Sequence, residues 1–143
     1  MKIDYSKIEI KFVDKWDSKD IVNLYKSANW WKDSFNSSNV SSLIKGSYRF
    51  AVVINKDEKK AIGMGRLLSD GVSDAYIQDL VILNDYRGLG LGKKLVKFLL
   101  DYCKSKDINW IGLISEPGQS KFYYNLGFAK MEKYTPMKYK IDD

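Results

Sequence analysis

The sequence predicts an α/β (α+β) fold of one domain, with elements in the order β-α-α-β-β-β-α-β-α-β-β. Three observations predict it. Stretches of alternating or continuous apolar residues are interleaved with stretches whose apolar residues recur every three or four positions. One apolar run passes through a glycine-rich turn straight into the longest helical pattern. The chain has 143 residues, 45% of them apolar, which suffices for one sizeable core and is too short for two ordinary domains.

Ile8 to Val13 sets Ile8, Ile10 and Phe12 against Glu9 and Lys11, the alternation of a strand with one buried face. A helix follows, with Ser18 as its cap and Ile21, Val22, Leu24 and Tyr25 as its apolar face. Asn29-Trp30-Trp31 breaks that pattern, and Asn36-Ser37-Ser38-Asn39 caps a short second helix from Val40 to Lys45. Tyr48 to Ile54 and Lys60 to Leu68 flank the polar turn Asn55-Lys56-Asp57-Glu58 and read as a hairpin. Ala75 to Leu83 is a further central strand, its apolar end suited to burial on both faces. Leu91, Leu95, Phe98, Leu99 and Tyr102 form the stripe by which the next helix packs on a sheet. Trp110 to Ile114 reads as a strand, Pro117 as a helix start and Gly127 as its end. Phe128 to Lys133 and Met137 to Ile141 are expected to form a closing pair of strands.

The turn Arg87-Gly88-Leu89-Gly90-Leu91-Gly92 carries the chemistry. Alternate glycines let the backbone bend and leave amides bare, and a helix that starts there adds partial positive charge. Such a turn suits a phosphorylated ligand. A P-loop would need Ser or Thr after its Lys, where this chain has Lys93-Lys94. A dinucleotide fold would need GxGxxG, where this chain has GxGxG.

A strand, RxxGxG and a helix together resemble the coenzyme A site of the GCN5-related N-acetyltransferase (GNAT) superfamily. A second stretch, Phe122-Tyr123-Tyr124-Asn125-Leu126-Gly127-Phe128, resembles the family's helix whose Tyr leads through Gly-Phe into the last strands. The element order matches as well, which implies a splayed mixed sheet flanked by helices. The resemblance further implies acetyl-coenzyme A as cofactor and direct transfer of acetyl to an amine, with no metal. It implies that the amides of Arg87, Gly88, Leu89, Gly90, Leu91, Gly92 and Lys93 hold the pyrophosphate. The backbone of Leu80, Val81 and Ile82 would receive the pantetheine arm and supply an oxyanion donor.

On the same resemblance Tyr123 is the general acid that protonates the departing thiolate; Tyr124 matches the motif less well. Where some members have Glu-Asp before the cofactor strand, this chain has Gln78-Asp79. Gln takes no proton, so the base is Asp79, Glu116 or a water relay. Alternation expects Gln78 and Asp79 on opposite faces. A second departure is Glu116, near a position where many members have a cofactor-contacting Asn. Trp30, Trp31, Phe35 and Tyr76, with Gln78, are candidates for the acceptor side, and the two tryptophans serve a hydrophobic core equally well.

Composition narrows the partners. Histidine is absent, which removes the commonest general base and zinc ligand. The net charge is +6, but the lysines are scattered apart from Lys93, Lys94, Lys97, Lys104 and Lys106 around the glycine-loop helix, where they steer phosphates. Nucleic acid is therefore not the expected partner. No apolar run approaches the roughly 18 residues of a membrane span, no signal-peptide core opens the chain, and Cys103 reads as core packing. The expected setting is cytoplasmic, the expected substrate a small-molecule amine, and the last strands could pair with a second subunit. A non-catalytic acyl-coenzyme A sensor, a protein or peptide acetyltransferase and a basic nucleic-acid-binding domain are the rival readings.

Overall fold

The computed structural model describes residues 3–141. They fall into two compact units, one ending at Leu113 and one beginning at Ile114. The first contains β1 (Ile8–Phe12), α1 (Ser18–Ser27), α2 (Val40–Gly46), β2 (Arg49–Asn55), β3 (Lys60–Ser69), β4 (Asp74–Ile82), α3 (Leu91–Ser105) and β5 (Trp110–Gly112). Its sheet runs β1-β2-β3-β4-β5. Each neighbouring pair among the first four strands is antiparallel and β5 joins β4 in parallel, so the sheet is mixed. This is the expected class, a mixed sheet flanked by helices.

Each face of the sheet has its own helices. On one, Ile21, Leu24 and Tyr25 of α1 and Val40 and Ile44 of α2 bury against Phe50, Val52, Met64 and Val81. On the other, a Cβ built on Gly65 would meet Leu95 and Leu99 of α3 and come within 2.8 Å of Leu80. Gly65 thus leaves room for α3 to lie close. Leu91, Leu95, Val96, Leu99 and Cys103 are the buried stripe of α3, and each large apolar side chain so buried stabilises the fold by about 1.5–3 kcal/mol. Cys103 is core, as expected, and burial pushes its thiol pKa upward.

Helix ends are closed by one repeated device. The residue after the last turn adopts a left-handed conformation, and the next amide bonds back to the carbonyl five residues earlier. At the end of α1 Asn29 has φ 60 and Trp30 donates to the carbonyl of Tyr25 at 3.0 Å. At the end of α3 Asp107 has φ 59 and Ile108 donates to Cys103 at 3.0 Å. The start of α1 corrects an expectation: Asp17, not Ser18, is the cap, its carboxylate accepting from the amide of Lys19.

β4 and β5 pair only from Asp74 to Tyr76, opposite Trp110 to Gly112. From Ile77 onward no rung joins them, which is the splay the resemblance implied. A second irregularity lies on the other side of β4. The rungs Arg66–Gln78 and Met64–Val81 enclose one residue of β3 but two of β4, a β-bulge.

The second unit contains α4 (Ser120–Tyr124), entered through a turn at Pro117 and Gly118 rather than starting at Pro117. The closing pair, Phe128 to Lys133 with Met137 to Ile141, is not formed: no strand occurs in this unit among the described residues. Lys133 takes φ 70 within a turn, which breaks the extended run, and Pro136 lacks the amide a ladder would use. Alternation of Met137, Tyr139 and Ile141 remains without a ladder, and these side chains stand exposed.

Candidate active site

β4 delivers the chain to the glycine turn. A 3-10 turn, Asn84–Tyr86, follows the strand, Arg87 is extended, and Gly88 and Gly90 take φ 78 and 80 before α3 begins at Leu91. Side chains with a Cβ are rare in that conformation, so glycine is required by the backbone. No side chain caps α3, and its first internal bond runs from the Lys94 amide to the Gly90 carbonyl at 3.1 Å. The amides of Leu91, Gly92 and Lys93 therefore have no partner within the helix.

A Cβ placed on Gly88 or Gly90 would meet nothing within 4 Å. Bare amides at a helix start with open space beside them fit a pyrophosphate. Two side chains brace this turn. Arg87 donates from Nε to the Ile82 carbonyl at 2.9 Å, so its guanidinium ties the turn to the end of β4. The Tyr5 phenol donates to the Leu89 carbonyl, and the Lys94 ammonium lies 4.9 Å from the centre of the Tyr5 ring.

Leu80, Val81 and Ile82 occupy the end of β4 beyond the splay, with Val81 opposite Met64 and Ile82 opposite Gly63. Their side chains pack inward, so it is their backbone that a ligand could address on the unpaired edge.

Asp79 is the residue the bulge displaces, with φ 56. Its Oδ2 accepts from Arg66 Nε and from the Tyr25 hydroxyl, each at 2.7 Å. Simple alternation fails here: Asp79 reaches Tyr25 on the α1 face, and the rung to Arg66 puts Gln78 on that same face. Tyr25 is buried, and that burial, reinforced by the charge and hydrogen bond of Asp79, pushes its phenol pKa far above the usual value.

Two of the candidate acceptor aromatics lie against Tyr25. Trp30 and Trp31 each have ring centres 6.3 Å from Tyr25, and Phe35 meets Trp31 edge-on at 5.4 Å. Both tryptophans are half-buried against the core, so each belongs to the core on one side and keeps a surface on the other. Tyr76 is 46% exposed and packs on Trp110 at 5.2 Å.

In the second unit Tyr123 lies in the last turn of α4. The chain turns at Gly127 with φ 97, Phe128 donates to the Tyr123 carbonyl at 3.1 Å, and the two rings meet at 5.7 Å. The Tyr-to-Gly-Phe spacing of the motif is thus the spacing of a left-handed helix end with its ring contact. Tyr123 is half-buried, and burial, with the negative charge of Glu116, raises its pKa. It is protonated at neutral pH.

The sequence reading missed Arg66, Tyr25 and Tyr5. Arg66, a lone charge in the apolar stretch Gly63-Met64-Gly65-Arg66-Leu67-Leu68, was a usable signal. That Asp79 would meet it depended on a register shift the sequence does not display.

Comparison with known proteins agrees with this geometry. A model of the acetyltransferase (GNAT) domain matches residues 4–139. The chain is 34% identical over 134 residues to the uncharacterized N-acetyltransferase ycf52 of Pyropia yezoensis, covering 84% of this chain and 76% of that protein. It is 35% identical over 121 residues to histone acetyltransferase TAP1 of Glycine max, over 78% of this chain and 52% of that protein. The GNAT family acetyltransferase SP0256 of Streptococcus pneumoniae shares the fold, with a TM-score of 0.78, 24% identity, and coverage of 95% of this chain and 99% of that one. With a domain match over nearly its whole length, the relatives named above and a splayed mixed sheet, this chain belongs to the GNAT family and is an acetyltransferase.

Proposed function

We propose that the chain transfers acetyl from acetyl-coenzyme A to the primary amine of a small molecule by direct attack in a ternary complex. One observation carries the donor side: an uncapped helix start whose two left-handed glycines leave open space in front of bare amides. The amides of Gly88 to Lys93 hold the pyrophosphate, that of Arg87 being taken instead by the Asn84 carbonyl at 3.2 Å, and Lys93 and Lys94 add positive charge nearby. The backbone of Leu80 to Ile82 pairs with the pantetheine arm along the edge that β5 leaves, and one of its amides steadies the negative charge on the reacting carbonyl. Acetyl-coenzyme A, when bound, supplies a thioester open to attack by an amine.

Tyr123 donates the proton to sulfur; its place four residues before Gly127 supports that role, and burial keeps the phenol protonated at neutral pH. On the acceptor side Asp79 attracts the ammonium form and takes a proton from it at Oδ1, the oxygen that neither Arg66 nor Tyr25 engages. Trp30, Trp31, Tyr76 and Gln78 line the approach. Exposed aromatic faces beside a carboxylate favour a cationic amine.

The family match across both compact units supports one catalytic domain over residues 1–143. A cytoplasmic setting fits the single buried cysteine; among the described residues no helix is long and apolar enough to cross a membrane. The exposed row of Met137, Tyr139 and Ile141 supports a second copy of the chain as a partner.

A protein amine is the second reading, favoured by the name of the Glycine max relative. The deciding experiment supplies acetyl-coenzyme A with small primary amines in one series and lysine-containing peptides in another, and follows release of the free thiol. Turnover confined to small amines supports the proposal. Turnover confined to peptides replaces it.

A further inference from the structure

Asp79 is held in a conformation that a strand residue normally avoids. Left-handed backbone is tolerated by Asp better than by most residues with a Cβ, but it is still strained and persists where neighbours enforce it. Two neighbours do so here, from different elements. Arg66 comes from β3, on the rung just before the bulge, and the Tyr25 hydroxyl comes from α1. Both reach the same oxygen at 2.7 Å, and the side chains of the ion pair are only 18% and 23% exposed.

Tyr25 is itself fixed, since the left-handed end of α1 at Asn29 turns Trp30 back onto its ring. An ion pair this withdrawn from water is a weak device for stability alone, because desolvation offsets most of the attraction. Its position suggests another use. The residue after Asp79 is Leu80, and one extra residue in a strand reverses which way every later amide and side chain points.

We infer that Arg66 and Tyr25 are positioning residues that act through Asp79: they latch the bulge in β4 and so set the register in which Leu80, Val81 and Ile82 present their amides to the donor. This rests on the acetyl-coenzyme A reading of the glycine turn. Asp79 then has two duties on two oxygens, the latch on Oδ2 and the acceptor amine on Oδ1.

The test exploits the fact that glycine adopts φ 56 without a latch. Amide hydrogen exchange is measured on the ligand-free protein at Val81 and Leu83, which face β3 in the ladder past the bulge, the Leu83 amide donating to the Ile62 carbonyl at 2.9 Å, and coenzyme A affinity is measured by calorimetry, for wild type, Arg66→Gln and the double variant Arg66→Gln with Asp79→Gly. Arg66→Gln is expected to speed exchange at these amides and weaken coenzyme A, each by about tenfold, the scale of one left-handed residue released. The double variant is expected to restore both.

Unchanged exchange in Arg66→Gln, or no recovery in a double variant that is folded by circular dichroism, overturns the latch. Should Arg66→Gln not fold, Tyr25→Phe removes only the hydroxyl, and exchange that fails to rise there overturns it equally. A wild type that does not bind coenzyme A, with exchange behaving as expected, sinks the cofactor reading and leaves the latch standing.

Discussion

Replacing Gly90 separates what the backbone requires from what the ligand requires. Gly90 sits at φ 80 and ψ 7, and an added Cβ meets nothing within 4 Å. Gly90→Ala therefore introduces conformational strain without a clash, about 1–2 kcal/mol. For a chain of this length about 1 kcal/mol moves the melting midpoint by roughly 3–4 °C, so Gly90→Ala should melt about 3–8 °C lower. In wild type, acetyl-coenzyme A at about one hundred times its Kd should add about 2.7 kcal/mol, a rise of about 8–11 °C. Gly90→Glu carries the same strain and also sets a carboxylate among the amides of Leu91 to Lys93, so its midpoint should fall without cofactor and not rise with it. Differential scanning calorimetry at neutral pH, with and without acetyl-coenzyme A, reads wild type and both variants. A wild type that shows no rise at millimolar cofactor refutes the reasoning, and so does a Gly90→Glu that keeps the full rise.

Tyr123→Phe removes the proposed proton donor with little change in volume: kcat should fall about a hundredfold or more while acetyl-coenzyme A affinity stays put, and an unchanged kcat would remove Tyr123 from the mechanism. Leu99→Ala empties a fully buried site between α3 and the sheet, and urea unfolding should show a loss of about 2–5 kcal/mol. The Tyr25 phenol has a higher pKa folded than unfolded, so its contribution to stability is complete below the unfolded value of about 10 and is lost as pH rises past it. Denaturant titrations from pH 8 to 12 should therefore show wild type losing stability more steeply above about pH 10 than Tyr25→Phe, by up to ~1.4 kcal/mol per pH unit. Parallel curves would contradict that account of Tyr25.

Legibility in the sequence followed the range of the forces involved. The stripe of α3, the hairpin of β2 and β3 and the left-handed glycines are local patterns, and they were readable because each is determined within a few residues. Trp30 and Trp31 were undecided between acceptor wall and core, and the fold packs each partly against the core. What stayed hidden depended on register. The bulge at Asp79 reverses the alternation on which its facing was argued, and only cross-strand pairing of Arg66 with Gln78 reveals it. The last strands were misread because Met137, Tyr139 and Ile141 alternate convincingly, while a strand also needs a ladder and Pro136 and the turn at Lys133 interrupt one.

The link from Tyr5 to the Leu89 carbonyl has a practical side. It ties the start of the chain to the loop read here as the phosphate cradle, and Lys94 rests against the same ring. Anything that pulls Tyr5 away, such as an affinity tag folded back over it or a trimmed first strand, would loosen the loop from a distance. Preparations tagged at opposite ends are then not interchangeable reagents, and a weak cofactor constant from an amino-terminal fusion should be repeated with the tag removed before it is assigned to the enzyme.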